Sequence, residues 1–189
     1  ELSKNTLTLK TTYDAINIRN HILQTFENII SAKEDEKESL LNIVIVGGGP
    51  TGVELAGAFS EIKRNILPND YHRIDFSKLK IILVEGSGHT LNNMSKTAKT
   101  GSREYLEKIG VIVMTETIVK NYDGQILQLG NGQTIKTKTV IWAAGVTANT
   151  IQGIAEQYIS SGNRLTVDRI NRITGYDNVF AIGDIAKME

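Results

Sequence analysis

A run of glycines joins a short apolar segment to a helix-prone one in the stretch NIVIVGGGPTGVELAG, residues 42–57. Gly47, Gly49 and Gly52 form the pattern G-x-G-x-x-G. In this pattern the first glycine allows a tight turn, the second lets a phosphate approach the main chain, and the third lets a helix pack on a strand. The turn also directs backbone N–H groups and the positive end of a helix dipole at one place, which suits a pyrophosphate. The stretch therefore predicts a parallel α/β fold that binds a dinucleotide.

A second apolar run, KIILVE at residues 80–85, ends in an acid. A carboxylate at this position can accept hydrogen bonds from the adenosine ribose, although Glu85 lies 33 residues after Gly52, where ~20 is usual. We expect an irregular insertion over residues 67–79 to account for the excess. No lysine or arginine occurs from Glu85 to Ser95 to neutralise a 2′-phosphate, which favours NAD(H) over NADP(H). The alternative for Glu85 is a surface acid at a strand end.

Apolar periodicity predicts the elements around these two strands. We expect an amphipathic helix over 11–32 whose buried stripe contains Ile16, Ile22, Leu23, Phe26, Ile29 and Ile30. The charged stretch at 32–39 indicates a solvated connection. A helix from about Gly52 to Asn65 should end before Pro68, and another helix should end at Gly110 as its C-terminal cap. Strands that alternate with helices indicate a parallel sheet.

The pattern changes after residue 110. Short β-prone runs predict an antiparallel meander over residues 111–114, 116–122, 125–130 and 133–145. Asp123-Gly124 and Asn131-Gly132 are dipeptides that favour tight hairpin turns. A helix-like stretch follows at 147–158, and strands are expected at 164–168 and 178–184.

Composition excludes several classes of function. The 189 residues carry 21 basic and 21 acidic side chains, so no net charge attracts the chain to nucleic acid or to an anionic membrane. The absence of cysteine excludes disulfides, thiolate metal sites and a redox dithiol within these residues. The three histidines, His21, His72 and His89, are too scattered to suggest a metal site, so none is expected. No apolar run approaches the ~20 residues of a membrane span, and we expect the chain to be soluble.

Four segments carry a family resemblance: GGGPTGVELAG (47–57), LVEG (83–86), WAAGVTAN (142–149) and VFAIGDIA (179–186). In this order they resemble the pyridine-nucleotide flavoprotein superfamily, and within it type II NADH dehydrogenase, the single-subunit NADH:quinone oxidoreductase. The resemblance implies an α/β, Rossmann-like FAD/NAD(P)-binding fold. Its three layers (ββα) are an antiparallel β-meander crossover, a parallel sheet and helices. The implied activity is hydride transfer from NADH to FAD, followed by electron transfer to quinone.

The resemblance also implies roles for individual residues. The cofactor-binding positions are Gly47, Gly49, Pro50, Thr51, Gly52, Glu54, Glu85, Gly86, Val119, Ala144, Gly145, Gly183 and Asp184. Val119 would lie against the adenine, Ala144 and Gly145 would line the nicotinamide side of the cleft, and Asp184 would approach FAD. Glu54 would be catalytic by orienting the nicotinamide carboxamide or relaying a proton. Its alternative role is that of a helix-start residue stabilised by the helix dipole.

The resemblance is partial, because the glycine motif that holds the FAD adenosine and the C-terminal segments for quinone and membrane binding are missing. We therefore expect part of a longer enzyme, divided into a helical entry (1–39), an NADH-binding domain (40–150) and a return to the FAD domain (151–189). The parent would be peripheral on the cytoplasmic side of the inner membrane, and a homodimer is compatible with the resemblance. The isolated chain would bind NAD(H) without turnover.

Two alternatives belong to related flavoproteins. The chain could be the NAD(H)-binding module of an NADH oxidase or of a glutathione-reductase-like enzyme, although WAAG replaces the A-T-G usual in the latter. Thioredoxin reductases are excluded, because they place C-x-x-C in this domain and the chain has no cysteine. A methyltransferase-like nucleotide fold would lack the VFAIGD segment.

Overall fold

The fold is that of a computed structural model that describes residues 2–145, 148–149 and 151–188. It divides into two units, Glu1–Ala144 and Gly145–Glu189. The first half of the first unit contains α1 (Leu2–Asn5), β1 (Leu7–Thr8), α2 (Thr12–Ser31), α3 (Glu34–Leu40), β2 (Asn42–Val46), α4 (Pro50–Asn65), α5 (Leu67–Asp70) and β3 (Lys80–Val84). The second half contains α6 (Lys96–Lys108), β4 (Val111–Met114), β5 (Val119–Tyr122), β6 (Ile126–Leu129), β7 (Thr134–Lys136) and β8 (Thr139–Trp142).

A five-stranded parallel sheet in the order β1-β8-β2-β3-β4 forms the centre of the first unit. Ile43 and Ile45 of β2 point to one face, into a core built with the helices. Val44 and Val46 point to the other face, into a core built with β5 and β6. Because the strands are buried on both faces, their sequences are continuous apolar runs, as the sequence predicted for β2 and β3.

Helices cover one face of the parallel sheet and an antiparallel sheet covers the other, so the unit has three layers, which confirms the predicted fold class. On the helical face, Phe26 of α2 packs with Ile43, Ile45 and Phe59 of α4. On the opposite face, β5, β6 and β7 form an antiparallel sheet. Its inner residues Tyr122, Leu127 and Leu129 pack on Val44 and Val140. Burial raises the pKa of Tyr122 to about 12, and its hydroxyl donates to Thr137 O at 3.1 Å.

The predicted antiparallel meander includes two segments that do not belong to it. Val111–Met114 and Thr139–Trp142 belong to the parallel sheet, where β4 pairs with β3 and β8 lies between β1 and β2. Both segments are largely apolar without alternation, which is the pattern of a strand within a layered sheet rather than of a hairpin. The two predicted turns are confirmed, since Gly124 and Gly132 adopt φ of +95° and +86° between β5, β6 and β7.

Helix α2 begins after Thr11, which forms a capping box with Asp14. Three residues of its predicted stripe are exposed, namely Ile16, Leu23 and Ile30, while Ile18 and Thr25 join the buried face. The stripe therefore follows i, i+4, i+7 and i+11 from Ile18 to Ile29.

Two segments predicted to be irregular contain helix. Residues 34–40, expected as a connection, form α3, which an i,i+3 ion pair between Lys37 and Glu34 at 2.8 Å supports. The 67–79 insertion forms α5 and a 3₁₀ turn at Phe76–Lys78. Its residues Leu67, Phe76 and Leu79 are buried in the helical-face core, so the insertion contributes to the core.

The second unit has a small sheet in which β10 (Arg164–Val167) pairs antiparallel with β9 (Ile159–Ser160) and parallel with β11 (Ala186–Met188). Its core consists of Leu165, Val167, Ile173 and Ala181. The strand predicted at 164–168 is confirmed.

Two predictions for the second unit are wrong. The described residues of 147–158 contain only a 3₁₀ turn, Glu156–Tyr158, and Gly153 has a left-handed φ of +89° that a helix does not allow. Val146, Thr147 and Thr150 lie outside the described residues. The strand predicted at 178–184 is reduced to a bridge at Phe180, because Gly183 turns the chain with φ of +77° before β11.

Candidate functional site

Most of the predicted ligand-binding residues of the first unit meet at the carboxyl edge of its parallel sheet. The glycine turn follows β2, Glu85 follows β3, and Ala143 and Ala144 follow β8. Gly47 N donates to Val84 O at 2.8 Å and Ala143 N donates to Val46 O at 2.8 Å, so the strand ends are joined at this edge. Ligands of open α/β sheets bind at this edge.

Two glycines of the motif are required by the protein itself. A Cβ at Gly47, which has φ of +112°, would lie 2.7 Å from Ala144 N and 2.9 Å from Ala143 C. A Cβ at Gly52 would overlap the carbonyl oxygen of Gly47. Side chains are therefore excluded at these positions because the helix, the turn and the end of β8 are in contact.

Gly49 has a different reason to be glycine. It is the N-cap of α4 with ordinary extended angles, and a Cβ there would meet no atom of the described residues within 4 Å. Helix geometry leaves the amides of Thr51 and Gly52 without an acceptor inside the helix, and Pro50 at the first helical position has no N–H to satisfy. Pro50 and Thr51 are exposed. The space at Gly49 and the amides beside it fit a phosphate group.

Glu85 is held in place by two backbone amides. Its Oε2 accepts from Gly48 N at 2.5 Å and its Oε1 accepts from Ser87 N at 2.7 Å. A Cβ at Gly48 would lie 3.0 Å from this carboxylate, so the glycine also provides its space. Each oxygen keeps a lone pair for another donor, such as a ribose hydroxyl. The carboxylate is thereby attached to the glycine turn, a link that sequence reasoning did not predict.

The wall next to Glu85 contains a residue that sequence reasoning missed. Val119 is 9% exposed and packs into the meander-face core, whereas Ile118 is 65% exposed. Ile118 lies beside Gly86, because a Cβ at Gly86 would be 3.7 Å from Ile118 Cγ1. Strict alternation would place Ile118 on the same face as the buried Tyr122, but a register shift between Val119 and Asn121 turns Val119 inwards instead, so the strand pattern alone does not identify Ile118.

The remaining predicted residues are more dispersed. Glu54 is exposed on α4, two residues after Gly52. Ala144 is half-buried at the end of the first unit. Gly145, Gly183 and Asp184 belong to the second unit and are exposed there.

The described residues contain no group of three or more histidine, cysteine or acidic side chains that could hold a metal ion. His21, one of the three histidines, bonds Thr139 Oγ1 from its Nε2 at 3.0 Å, and burial lowers its pKa. No helix in the described part of the chain is long and apolar enough to cross a membrane.

Comparison with known sequences gives a consistent result. The family model described as pyridine nucleotide-disulphide oxidoreductase matches residues 7–189. The type II NADH:quinone oxidoreductase Ndh of Mycobacterium tuberculosis is 32% identical, over 96% of this chain and 41% of its own length. A probable NADH dehydrogenase of Dictyostelium discoideum is 30% identical, again over 96% and 41%.

Solved structures agree with the sequences. NDH2 from Plasmodium falciparum in complex with NADH superimposes with a TM-score of 0.84 at 26% identity, covering 98% of this chain and 40% of that one. A ferredoxin reductase from Rhodopseudomonas palustris, at 16% identity and a TM-score of 0.66, shares the fold. The chain thus spans about two fifths of the length of these relatives.

Proposed function

The chain belongs to the pyridine nucleotide-disulphide oxidoreductase family, and from this membership we propose that it is the NADH-binding part of a type II NADH:quinone oxidoreductase. The observation that carries the proposal is the arrangement at the carboxyl edge of the sheet. The open position at Gly49 lies on the same turn whose Gly48 amide binds the carboxylate of Glu85. In dinucleotide-binding folds the start of the helix holds the pyrophosphate and the acid at the strand end binds the ribose.

The residues of the first unit have complementary roles in this proposal. The Thr51 and Gly52 amides hold the pyrophosphate at the start of α4, and Glu85 accepts from the ribose hydroxyls. Gly86 leaves space for the adenine, which packs against Ile118 in addition to the Val119 position. Ala144, the last residue of this unit, and its chain neighbour Gly145 line the nicotinamide side. NADH supplies the hydride in the reaction, and the protein supplies its position.

The proposal also divides the chain into three segments and assigns further roles in the parent enzyme. Residues 1–39 form the helical entry, 40–150 the NADH-binding domain and 151–189 the return towards an FAD domain. Gly183 and Asp184 contribute to FAD binding in the parent enzyme. Glu54, which is exposed on the first turns of α4, orients the nicotinamide carboxamide or relays a proton. Quinone binding, peripheral attachment to the cytoplasmic side of the inner membrane and homodimer formation are assigned to the parent enzyme.

The test of this function uses the full-length protein that contains the chain. We expect it to contain FAD, to oxidise NADH with a soluble quinone analogue, and to prefer NADH to NADPH. Glu85→Gln should lower kcat/KM for NADH by about tenfold to a hundredfold, because charge-assisted hydrogen bonds worth roughly 1.5–3 kcal/mol are lost. Glu61→Gln, an exposed change further along α4, is the matched control. Equal use of both nucleotides by the unmodified enzyme would contradict the proposal.

The isolated 189-residue chain provides a second test. We expect it to bind NADH in a calorimetric titration, to be colourless after purification, and to leave NADH unoxidised in the presence of quinone. Stoichiometric flavin absorbance in the purified chain would contradict the assignment of FAD binding to the parent. Reduction of a disulfide substrate by the parent, without quinone reduction, would favour the glutathione-reductase-like alternative.

A further inference from the structure

Glu116 lies in the loop after β4 and has an unusual backbone conformation, with φ of +53°. Left-handed angles are uncommon for residues other than glycine and asparagine, and they persist where surrounding contacts require them. Here the contact is a hydrogen bond from Glu116 N to Ser87 O at 2.9 Å. The chain is also held on both sides of Glu116. Glu85 N donates to Met114 O at 2.8 Å, and Thr117 N donates to Glu85 O at 2.9 Å.

These three hydrogen bonds tie the Glu116 loop to the loop that begins at Glu85. Ser87 connects the two acids directly, because its amide donates to the Glu85 carboxylate and its carbonyl accepts from the Glu116 amide. The Glu116 side chain continues along the same loop, with Oε1 4.0 Å from the position of a Cβ on Gly88. Two carboxylates therefore face one loop of small residues, Gly86, Ser87 and Gly88.

The Glu116 carboxylate is available for an electrostatic role. The residue is exposed, and within the described part of the chain its carboxylate has no hydrogen-bond or ion-pair partner. A cation does approach the preceding residue, since Arg103 Nη1 lies 3.5 Å from Thr115 Oγ1. That arginine is bound to Glu107, with Nε 2.8 Å from Oε1, so its charge is already paired.

The loop of Gly86, Ser87 and Gly88, which Glu116 faces, follows the strand end at which the adenosine ribose is proposed to bind. An acid at the end of the second strand binds the ribose 2′-hydroxyl, and enzymes that accept a 2′-phosphate use an arginine near the same place. Gly86, Ser87 and Gly88 would otherwise leave room for a phosphate, because they are small; the Ser87 hydroxyl donates to His89 O at 3.0 Å. We propose that Glu116 is a second specificity-determining carboxylate, which acts with Glu85 to exclude the 2′-phosphate of NADPH. The inference rests on the proposed nucleotide-binding function.

The test compares NADH and NADPH as substrates of the full-length protein. Glu116→Gln keeps the size of the side chain and the same backbone requirement, so folding should be unaffected. We expect it to raise the NADPH-to-NADH ratio of kcat/KM by about fivefold, as for one unit charge near a phosphate in largely aqueous surroundings. Glu61→Gln, which also removes one exposed negative charge, should leave the ratio unchanged. Glu85→Gln with Glu116→Gln should raise the ratio more than either change alone.

Salt dependence distinguishes charge from structure. The wild-type preference for NADH should weaken as ionic strength rises from about 0.02 to 0.5 M, and the weakening should be smaller in Glu116→Gln, because screening acts on the removed charge. Normal NADH oxidation with an unchanged ratio in Glu116→Gln would overturn this inference and leave the proposed function intact. An equal loss for both nucleotides would indicate a structural role and also overturn it. A wild-type protein that binds neither nucleotide would refute both.

Discussion

The two units differ in how they position the residues assigned to cofactor binding. In the first unit the glycine turn and Glu85 are fixed by contacts within the unit, namely the crowding at Gly47 and Gly52 and the amides that hold the Glu85 carboxylate. In the second unit Gly183 and Asp184 are exposed, and a Cβ at Gly183 would lie more than 4 Å from every atom in the described part of the chain. The first unit is therefore organised for its ligand by its own packing, whereas Gly183 has only a backbone requirement.

The largest effect is expected in the free energy of unfolding of two glycine-to-alanine variants, one in each unit. Gly52→Ala forces a Cβ onto the Gly47 carbonyl and should cost about 3 kcal/mol, because α4 cannot move from the turn without losing its packing. Gly183→Ala adds only left-handed strain of about 1 kcal/mol, confined to the second unit. Urea unfolding followed by the fluorescence of Trp142, the only tryptophan, measures the first unit, and unfolding followed by circular dichroism measures both units. Equal shifts for the two variants would contradict the comparison.

A second prediction separates ligand space from packing within the glycine motif. Gly49→Ser should leave stability unchanged or slightly higher, because serine is a favourable N-cap residue and its Cβ enters open space. The same side chain occupies the expected phosphate position, so NADH affinity should fall by about tenfold or more, roughly 1.4 kcal/mol. Calorimetric titration and thermal unfolding measure the two effects on one sample. An unchanged affinity for NADH would show that the phosphate does not bind at this turn.

The third prediction concerns Glu54, which the structure leaves exposed on α4. Glu54→Gln in the full-length enzyme should retain folding and flavin content but lower kcat or raise KM for NADH by about tenfold, roughly 1.4 kcal/mol. Glutamine keeps the shape of the side chain but cannot ionise or relay a proton. Glu61→Gln on the same helix is the control. Unchanged kinetics would show that Glu54 has no part in turnover; a helix-dipole role is also weak, because α4 begins at Pro50 and has no acid in its first turn.

The smallest effect should appear in the pH dependence of stability. Burial lowers the pKa of His21 in the folded state below its unfolded value of about 6.5, so the unfolded chain binds the proton more readily. Stability should therefore be full above about pH 7 and decrease as the pH falls through 6.5 towards the lower folded pKa. His21→Gln should flatten this slope, and the exposed His72→Gln should not. An unaltered slope in His21→Gln would show that other groups determine it.

The sequence predicted the fold best where neighbouring residues suffice to specify it. The apolar run NIVIV before the glycines predicts a strand and is the whole of β2, and α4 begins only two residues earlier than expected. The turns at Gly124 and Gly132 follow from dipeptide chemistry. Prediction was poorer in the second unit, where Gly153 prevents the expected helix and Gly183 interrupts the expected strand. Both failures have a local cause, since left-handed glycines end regular structure within otherwise suitable apolar runs.

What the sequence determined by itself was the strand-turn-helix motif, the acid at the end of the next strand, and hence an α/β nucleotide-binding fold. The choice of β-prone runs that join the parallel sheet belongs to the tertiary structure, because β8 enters between β1 and β2 by pairing with residues 134 and 96 positions away. The tertiary structure also sets the hydrogen bond from the Gly48 amide to the Glu85 carboxylate. It exposes Ile118 rather than Val119 beside Gly86, and it brings Glu116 to the loop that contains Gly88. These relations depend on backbone contacts between distant strand ends, which side-chain patterns along one chain do not encode.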